Sequence, residues 1–325
     1  MRRVVGELST TTWAYAAVGA LFESGLLERL DTAKETRQLA DETKLAEPLV
    51  RALLDVGVAL GVIEMADGDT YTAVDGVLAF HASAPGRGQR LFVRSDFLQT
   101  SDVLKRAHAG TLEMGWHYTD PDILNAQGIG SGAVMETLCR DVVPTLDGLH
   151  ERLSAQTAEF LDVGAGVGGI CIALARLWPS LRIVGLEPAA SPMAEAKSNI
   201  AASGYADRIE MRPITLEQLT DVERFDAGWL PQVFLPLEVL HRSIGPFLRS
   251  IKPGGWAIVF ALSAAGAELG PAISRFRNVL WGGEPHPPDA LASMLAGLGL
   301  EQVHTRPAGG GISGATLILG RKPQN

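Results

Sequence analysis

The sequence predicts an α/β chain, with a mainly helical, winged-helix-like N-terminal domain followed by a domain built on a parallel sheet. Three observations predict it. Apolar residues near the N-terminus recur at helical spacing, in Leu21-Phe22, Leu26-Leu27 and Leu30. From Glu159 onward, short apolar runs alternate with helical stretches, the pattern of a parallel sheet covered on both faces. The chain then closes on two neighbouring strand-like runs whose connection is too short for a crossover, so they pair antiparallel.

The composition supports buried cores and narrows the function classes. With 325 residues, 46% of them hydrophobic and 20% charged, the chain is long enough for two domains that each bury a core. The longest apolar runs, such as Trp256 to Leu262, fall far short of the roughly 20 residues that span a bilayer, so no membrane segment is expected. Met1-Arg2-Arg3 has no apolar run behind it, which argues against a signal peptide. Cys139 and Cys171 are too few and too far apart for a disulfide framework or a metal knuckle. They read as buried thiols in a reducing cytoplasm, and no metal site is expected. The net charge of -9, with no lysine or arginine block, opposes binding to phosphate backbones, which leaves a small molecule as the expected partner.

The N-terminal domain, expected over 1–84, is read in order. Helices follow Trp13; Thr36-Arg37-Gln38-Leu39-Ala40 opens one helix, and Glu47-Pro48 opens another with proline near its start. Asp67-Gly68-Asp69 is a tight turn between the strands Val62-Ile63-Glu64-Met65 and Thr70-Tyr71-Thr72-Ala73. Helix, helix and hairpin in that order give a winged-helix shape. The second helix offers Arg51 as its only basic residue, so dimerisation or a substrate-lid role is favoured over DNA contact. Residues 85–150 form a helical linker and lid, polar and aromatic through Gly115-Trp116-His117-Tyr118.

In the third part, 151–325, strands are expected at Phe160–Val163, Arg182–Leu186, Ile209–Met211, Ala227–Leu230 and Trp256–Phe260. Gln302–Thr305 and Ala315–Leu319 follow, joined by a glycine-rich turn at Gly309-Gly310-Gly311. The loop Asp162-Val163-Gly164-Ala165-Gly166-Val167-Gly168-Gly169 runs from the first of these strands into a helix from Gly169 through Leu177. Glycines 164, 166 and 168 let a ligand approach backbone N–H groups at a helix start. Glu187 ends the second strand, about 20 residues beyond the loop, where an acid accepts ribose hydroxyls; the alternative is a solvated strand-end acid. Asp162 at the loop's start would repel a pyrophosphate but suits a ligand carrying an ammonium and a sulfonium. That chemistry is S-adenosylmethionine (SAM).

On these residues, together with Phe225-Asp226-Ala227 and the Lys252-Pro253-Gly254-Gly255 turn before the fifth strand, residues 158 to 320 resemble class I SAM-dependent methyltransferases. With its N-terminal unit the layout is similar to the dimeric small-molecule O-methyltransferases of bacterial secondary metabolism. The resemblance implies a Rossmann-like sheet of seven strands, the last antiparallel, and a homodimer. It also implies an adenine contact after the third strand, where this chain offers Thr215. Pro188, Trp229 and Gln232 complete the expected cofactor contacts beside Asp162, Gly164, Gly166, Gly168 and Glu187.

Related O-methyltransferases place a histidine base just after the fourth strand. Here the segment reads Trp229-Leu230-Pro231-Gln232-Val233-Phe234-Leu235-Pro236, and the nearest histidine, His241, is expected on a helix surface. The polar-aromatic cluster of Trp116, His117, Tyr118, Asn125 and Gln127 is expected over the methyl donor, with His117, Tyr118 and Asn125 as candidate catalytic residues. Trp13, Tyr15, Trp229 and Phe234 are further candidates to face the pocket, against the alternative that they only pack. The leading expectation is methyl transfer to a small metabolite that is already nucleophilic. Two alternatives stand beside it: a cyclase in which SAM's own amine closes an azetidine-2-carboxylate ring and releases methylthioadenosine, and a SAM-binding regulator that uses the winged helix on DNA.

Overall fold

The apolar repeat at the N-terminus has its physical outcome in α1 (Arg2–Glu23), which starts earlier than the spacing alone indicates and buries Leu21 in its last turn. Leu21, Leu26, Leu27 and Leu30 join Leu39, Val50, Leu54, Ile63 and Tyr71 in one core. The chain is represented by a computed structural model that describes residues 1–66, 68–262, 266–308 and 314–324. It divides into two units, Met1–Phe97 and Leu98–Asn325.

In the first unit, α2 (Thr36–Thr43) and α3 (Glu47–Ala59) precede the hairpin of β2 (Ile63–Met65) and β3 (Thr70–Ala73), in the expected order. A two-residue strand, β1 (Lys34–Glu35), also pairs with β3 and was not foreseen, because two residues carry no periodicity. Asp67 of the expected turn lies outside the described residues. Arg51 is committed to Asp69, its Nη2 donating to Oδ2 at 2.6 Å. α4 (Val77–Ala82) and α5 (Ala84–Ala109) follow, and α5 carries the chain across the Phe97–Leu98 division. The segment expected as one linker over 85–150 is therefore shared between the two units.

The second unit is a seven-stranded sheet. Its strands are β4 (Glu159–Val163), β5 (Arg182–Leu186), β6 (Ile209–Arg212), β7 (Phe225–Pro231), β8 (Ile251–Leu262), β9 (Glu301–Pro307) and β10 (Ala315–Arg321), in the order β6-β5-β4-β7-β8-β10-β9. The first five are parallel, and β10 inserts antiparallel between β8 and β9. The order reverses direction at β4, where open α/β sheets bind ligands beyond their carboxyl ends. Gly309-Gly310-Gly311 lies outside the described residues.

One face of the sheet packs on α6 (Pro121–Asp141), α7 (Leu149–Ser154), α8 (Gly169–Leu177) and α9 (Ala190–Ser203), burying Met135, Leu149, Leu174 and Ile200 with Phe160 and Trp229. The other packs on α10 (Leu237–Ser250) and, past α11 (Leu269–Leu280), on α12 (Pro288–Gly297), which bury Phe247 and Leu291 with Leu161 and Val184. Burial on both faces is why these strands read as continuous apolar runs. Lys252-Pro253-Gly254-Gly255 is not the turn expected before the fifth strand. It lies inside β8, where the register against β7 shifts between Phe225 and Ala227, so the stretch forms a bulge. Among the described residues no helix is long and apolar enough to cross a membrane.

Candidate functional site

The carboxyl edge of β4 and β5 gathers the polar residues that the core cannot use. Register places Met211, Gly185, Asp162, Trp229 and Ile258 abreast on β6, β5, β4, β7 and β8. Beyond Asp162 the loop turns sharply: Gly164, Gly166 and Gly168 have φ of 66°, 55° and 80°, a region closed to most side chains. A Cβ on Gly166 would approach nothing closer than the Gly164 carbonyl, at 4.0 Å, so the loop's upper surface is open to a ligand. Gly168 then caps α8.

Glu187 stands just past β5 and is 8% exposed. Its Oε2 accepts from the Gly166 N–H at 3.0 Å and its Oε1 from the Ala189 N–H at 2.8 Å. The acid thus ties the glycine loop to the chain leaving β5. Each oxygen keeps further acceptor capacity for a diol. Burial pushes its pKa up, and the two backbone donors offset part of that.

Asp162 is fully buried. Its Oδ2 accepts from the Cys171 thiol at 3.2 Å, whereas Oδ1 has no hydrogen-bond partner. Burial raises its pKa to about 7; the thiol works against that rise and the nearby Glu187 charge adds to it. A buried carboxylate left half-satisfied is costly unless a cationic donor completes it. SAM fits this donor set: an ammonium for the orphan oxygen, a ribose for Glu187, and a glycine loop with no side chain in the way.

The structure gives the neighbouring residues these surroundings. Thr215 caps a short 3-10 turn (Leu216–Gln218) in a reciprocal capping box with Gln218, so its side chain is already committed there. Pro188 is exposed beside Glu187. Trp229 is buried and stacks on Phe260 at 5.6 Å. Asp226 sits at the opposite, amino end of the sheet, holding the Glu159 N–H at 3.0 Å and the Lys252 ammonium at 2.7 Å, away from the glycine loop.

Of the candidate catalytic residues, Asn125 is a clasp. Its Nδ2 donates to Glu195 at 2.9 Å, and its Oδ1 accepts from Asn199, which also donates to the Val167 carbonyl at 3.1 Å. It therefore reaches the glycine loop through α9. His117 is exposed, its Nε2 donating to the Met114 carbonyl at 2.7 Å; none of its contacts among the described residues joins it to Asp162, Glu187 or the turn after β7. Tyr118 is buried with its hydroxyl unpartnered among the described residues, and burial pushes its phenol pKa up, so it stays a protonated hydrogen-bond donor with little phenolate to act as a base. His241 lies exposed on α10.

The polar-aromatic segment does form a cluster. Trp116 meets Tyr118 at 4.8 Å and Phe234 at 5.4 Å edge-on, and Phe234 stacks on Trp281 at 5.6 Å. Trp281 was not foreseen; its indole donates to Gln99 at 2.9 Å, and Gln99 in turn donates to Gln127 at 3.1 Å. Gln232 lies in the turn after β7 (Gln232–Phe234), fully buried, with Nε2 donating to the Glu284 carbonyl at 2.9 Å and Oε1 without a partner. Asn278 on α11 matches it: Nδ2 faces the Val233 carbonyl at 3.4 Å, and Oδ1 has no partner. Trp13 is exposed, and the Tyr15 hydroxyl donates to Asp96 at 3.0 Å within the first unit.

Two features escaped the sequence reading. α6 crosses α8 backbone to backbone: a Cβ on Gly169 would lie 2.0 Å from the Gly128 carbonyl, and one on Gly132 would lie 2.5 Å from the Gly169 carbonyl. The signal was available in Gly128-Ile129-Gly130-Ser131-Gly132, since a glycine run inside a helix marks close approach. His286, partly buried, belongs to the stretch after α11 that Gln232 pins through Glu284; every other histidine of the second unit is exposed.

Comparison with known proteins places this edge in context. The family described as "Methyltransferase domain" matches residues 160–255. The ubiquinone biosynthesis O-methyltransferase of Bradyrhizobium sp. (strain ORS 278) is 35% identical over 123 residues, which cover 33% of this chain and 45% of that enzyme. The chain thus aligns with less than half the length of that relative. Among solved structures, an O-methyltransferase family protein from Burkholderia thailandensis is similar over 100% of this chain and 99% of its own, with TM-score 0.64 and 18% identity. Human N-acetylserotonin methyltransferase in complex with SAM is similar over 99% of this chain and 97% of its own, with TM-score 0.68 and 15% identity. At such identities the likeness of the structures is one of fold.

Proposed function

We propose that the chain is a class I SAM-dependent methyltransferase with SAM as its cofactor, and that it methylates a small metabolite that reaches the site already nucleophilic, such as an amine, a carboxylate or an enol. The observation that carries this reading is the carboxyl edge itself. Asp162 with an orphan oxygen, Glu187 under the loop and three left-handed glycines form a SAM seat, and the turn after β7 presents Gln232 where related enzymes keep a histidine base.

When bound, SAM supplies an electrophilic methyl group on a sulfonium. The protein's part is to hold and orient. Well-positioned reactants gain roughly 7–11 kcal/mol over free encounter, which removes the need for a strong base when the acceptor is a good nucleophile. The rings of Trp116, Phe234 and Trp281 offer apolar walls to a planar acceptor, and the unpartnered oxygens of Gln232 and Asn278 suit hydrogen-bond donors on it. The homodimer belongs to the same proposal, supported by Val4, Val5, Leu8 and Trp13 exposed along α1; a monomer by light scattering at micromolar concentration would remove it.

The test uses SAM labelled in its methyl group and a panel of amines, carboxylates, enols, phenols and alcohols, read by mass spectrometry. S-adenosylhomocysteine formed only with an acceptor, and label on an amine, carboxylate or enol, supports the proposal. Methylthioadenosine released from SAM alone, with a cyclic amino acid, contradicts it in favour of ring closure.

A further inference from the structure

Cys171 has no place in the methyl-transfer reading so far, yet it makes the one hydrogen bond to the Asp162 side chain found among the described residues. It stands in the first turn of α8, over the row in which Gly185 and Asp162 lie abreast. Close packing fixes the thiol. A Cβ on Gly185 would lie 3.1 Å from the Cys171 sulfur, 2.9 Å from the Ala165 Cβ and 2.6 Å from the Met211 sulfur, so the bare glycine leaves the space that the sulfur fills. Burial, with the Asp162 carboxylate beside it, holds the thiol far above its ordinary pKa, so it stays a protonated donor and is no nucleophile.

A carboxylate has two oxygens, and the thiol occupies Oδ2 only. Oδ1 is buried in the same site and unpartnered. We propose that Cys171 is a positioning residue for the cofactor: its thiol holds Oδ2 of Asp162, so that Oδ1 is the oxygen left for the ammonium group of SAM, and its hydrogen bond favours the charged form that the ammonium requires. The inference rests on the SAM reading of the site. Two titratable groups act on Asp162: Cys171 on α8, which favours the charged form, and Glu187 past β5, whose like charge opposes it. The neighbour on β7 is Trp229, which carries no charge.

The experiment is calorimetric titration of the wild-type chain, Cys171→Ala and Cys171→Ser with SAM, S-adenosylhomocysteine and methylthioadenosine across pH 5.5 to 9. Methylthioadenosine shares the nucleoside and lacks the ammonium. Cys171→Ala should bind SAM and S-adenosylhomocysteine about 3- to 10-fold more weakly near pH 7, with the pH of half-maximal affinity moved upward. Its methylthioadenosine affinity should stay at the wild-type value. Cys171→Ser, whose hydroxyl is a stronger donor, should recover tight binding and move the half-point back down. Equal losses for all three ligands, or a Cys171→Ala profile that overlays the wild type, would overturn the positioning role while leaving the cofactor reading intact. If Cys171→Ala does not fold, the downward shift in Cys171→Ser alone decides. A wild-type chain that binds none of the three overturns the cofactor reading, and the Cys171 assignment with it.

Discussion

Replacing Asp162 by asparagine should make the ligand-free protein more stable and the cofactor site useless. Burial moves this acid from 3.8 to about 7. Below pH 3.8 the carboxyl is protonated in both folded and unfolded chains, so its folded environment carries no charge penalty. Between pH 3.8 and 7 the unfolded chain ionises first, and this group's contribution to stability falls as pH rises, by about 1.4 kcal/mol per unit. Above pH 7 the full cost is present, about 4 kcal/mol for a shift of roughly three units. Asparagine removes the charge but leaves a buried NH2 in need of a partner, at a cost of about 1–3 kcal/mol. The net expectation at pH 8 is a gain of about 1–3 kcal/mol, or several degrees in Tm for a unit of this size. At pH 5, where the native acid is neutral, the gain should vanish. Melting curves of both proteins at pH 5 and pH 8, with and without SAM, measure this directly. SAM should raise the wild-type Tm and leave the variant's nearly unmoved. An Asp162→Asn protein that is less stable than the wild type at pH 8 without ligand, or that SAM stabilises equally, would refute the reasoning.

Three further expectations follow from named contacts. Glu187→Ala should weaken SAM binding about 10- to 100-fold, since it removes the proposed ribose acceptor and frees the Gly166 amide; unchanged affinity by calorimetry would sink that assignment. Gly169→Ala places a Cβ 2.0 Å from the Gly128 carbonyl, so it should cost about 1–3 kcal/mol in chemical denaturation; a neutral result would mean that α6 is free to withdraw from α8. His117→Ala and His286→Ala should each hold kcat within about threefold on a nucleophilic acceptor, whereas a loss of about 100-fold or more in either would identify a proton-transfer base.

The parallel sheet was legible because its strands are buried on both faces and bounded by helices, which leaves short continuous apolar runs at Phe160–Val163 and Arg182–Leu186. The candidate edge was legible for a related reason: Asp162 and Glu187 are acids that the structure buries, and the glycines occupy backbone conformations few other residues tolerate. What was hidden depends on long-range contact. Asn125 meets Glu195 and Asn199 across helices, and Trp281 meets Trp116 only once α11 is placed. Nor does chain order show that His117 turns toward Met114, or that Lys252–Gly255 is absorbed into β8 as a bulge. Thr215 sits at the expected place after β6, but Gln218 three residues on makes it a cap, a signature that the sequence did contain.

The carboxyl edge of β4 and β5 is proposed as a SAM site read through Asp162 and Glu187. It is tested most directly by calorimetric titration of SAM into the wild-type chain, Asp162→Asn and Glu187→Ala at pH 8. One saturable SAM per wild-type chain is expected, with a large loss of affinity in both variants, each of which still melts cooperatively. Absence of SAM binding to the wild type, or full affinity in both variants, would contradict it.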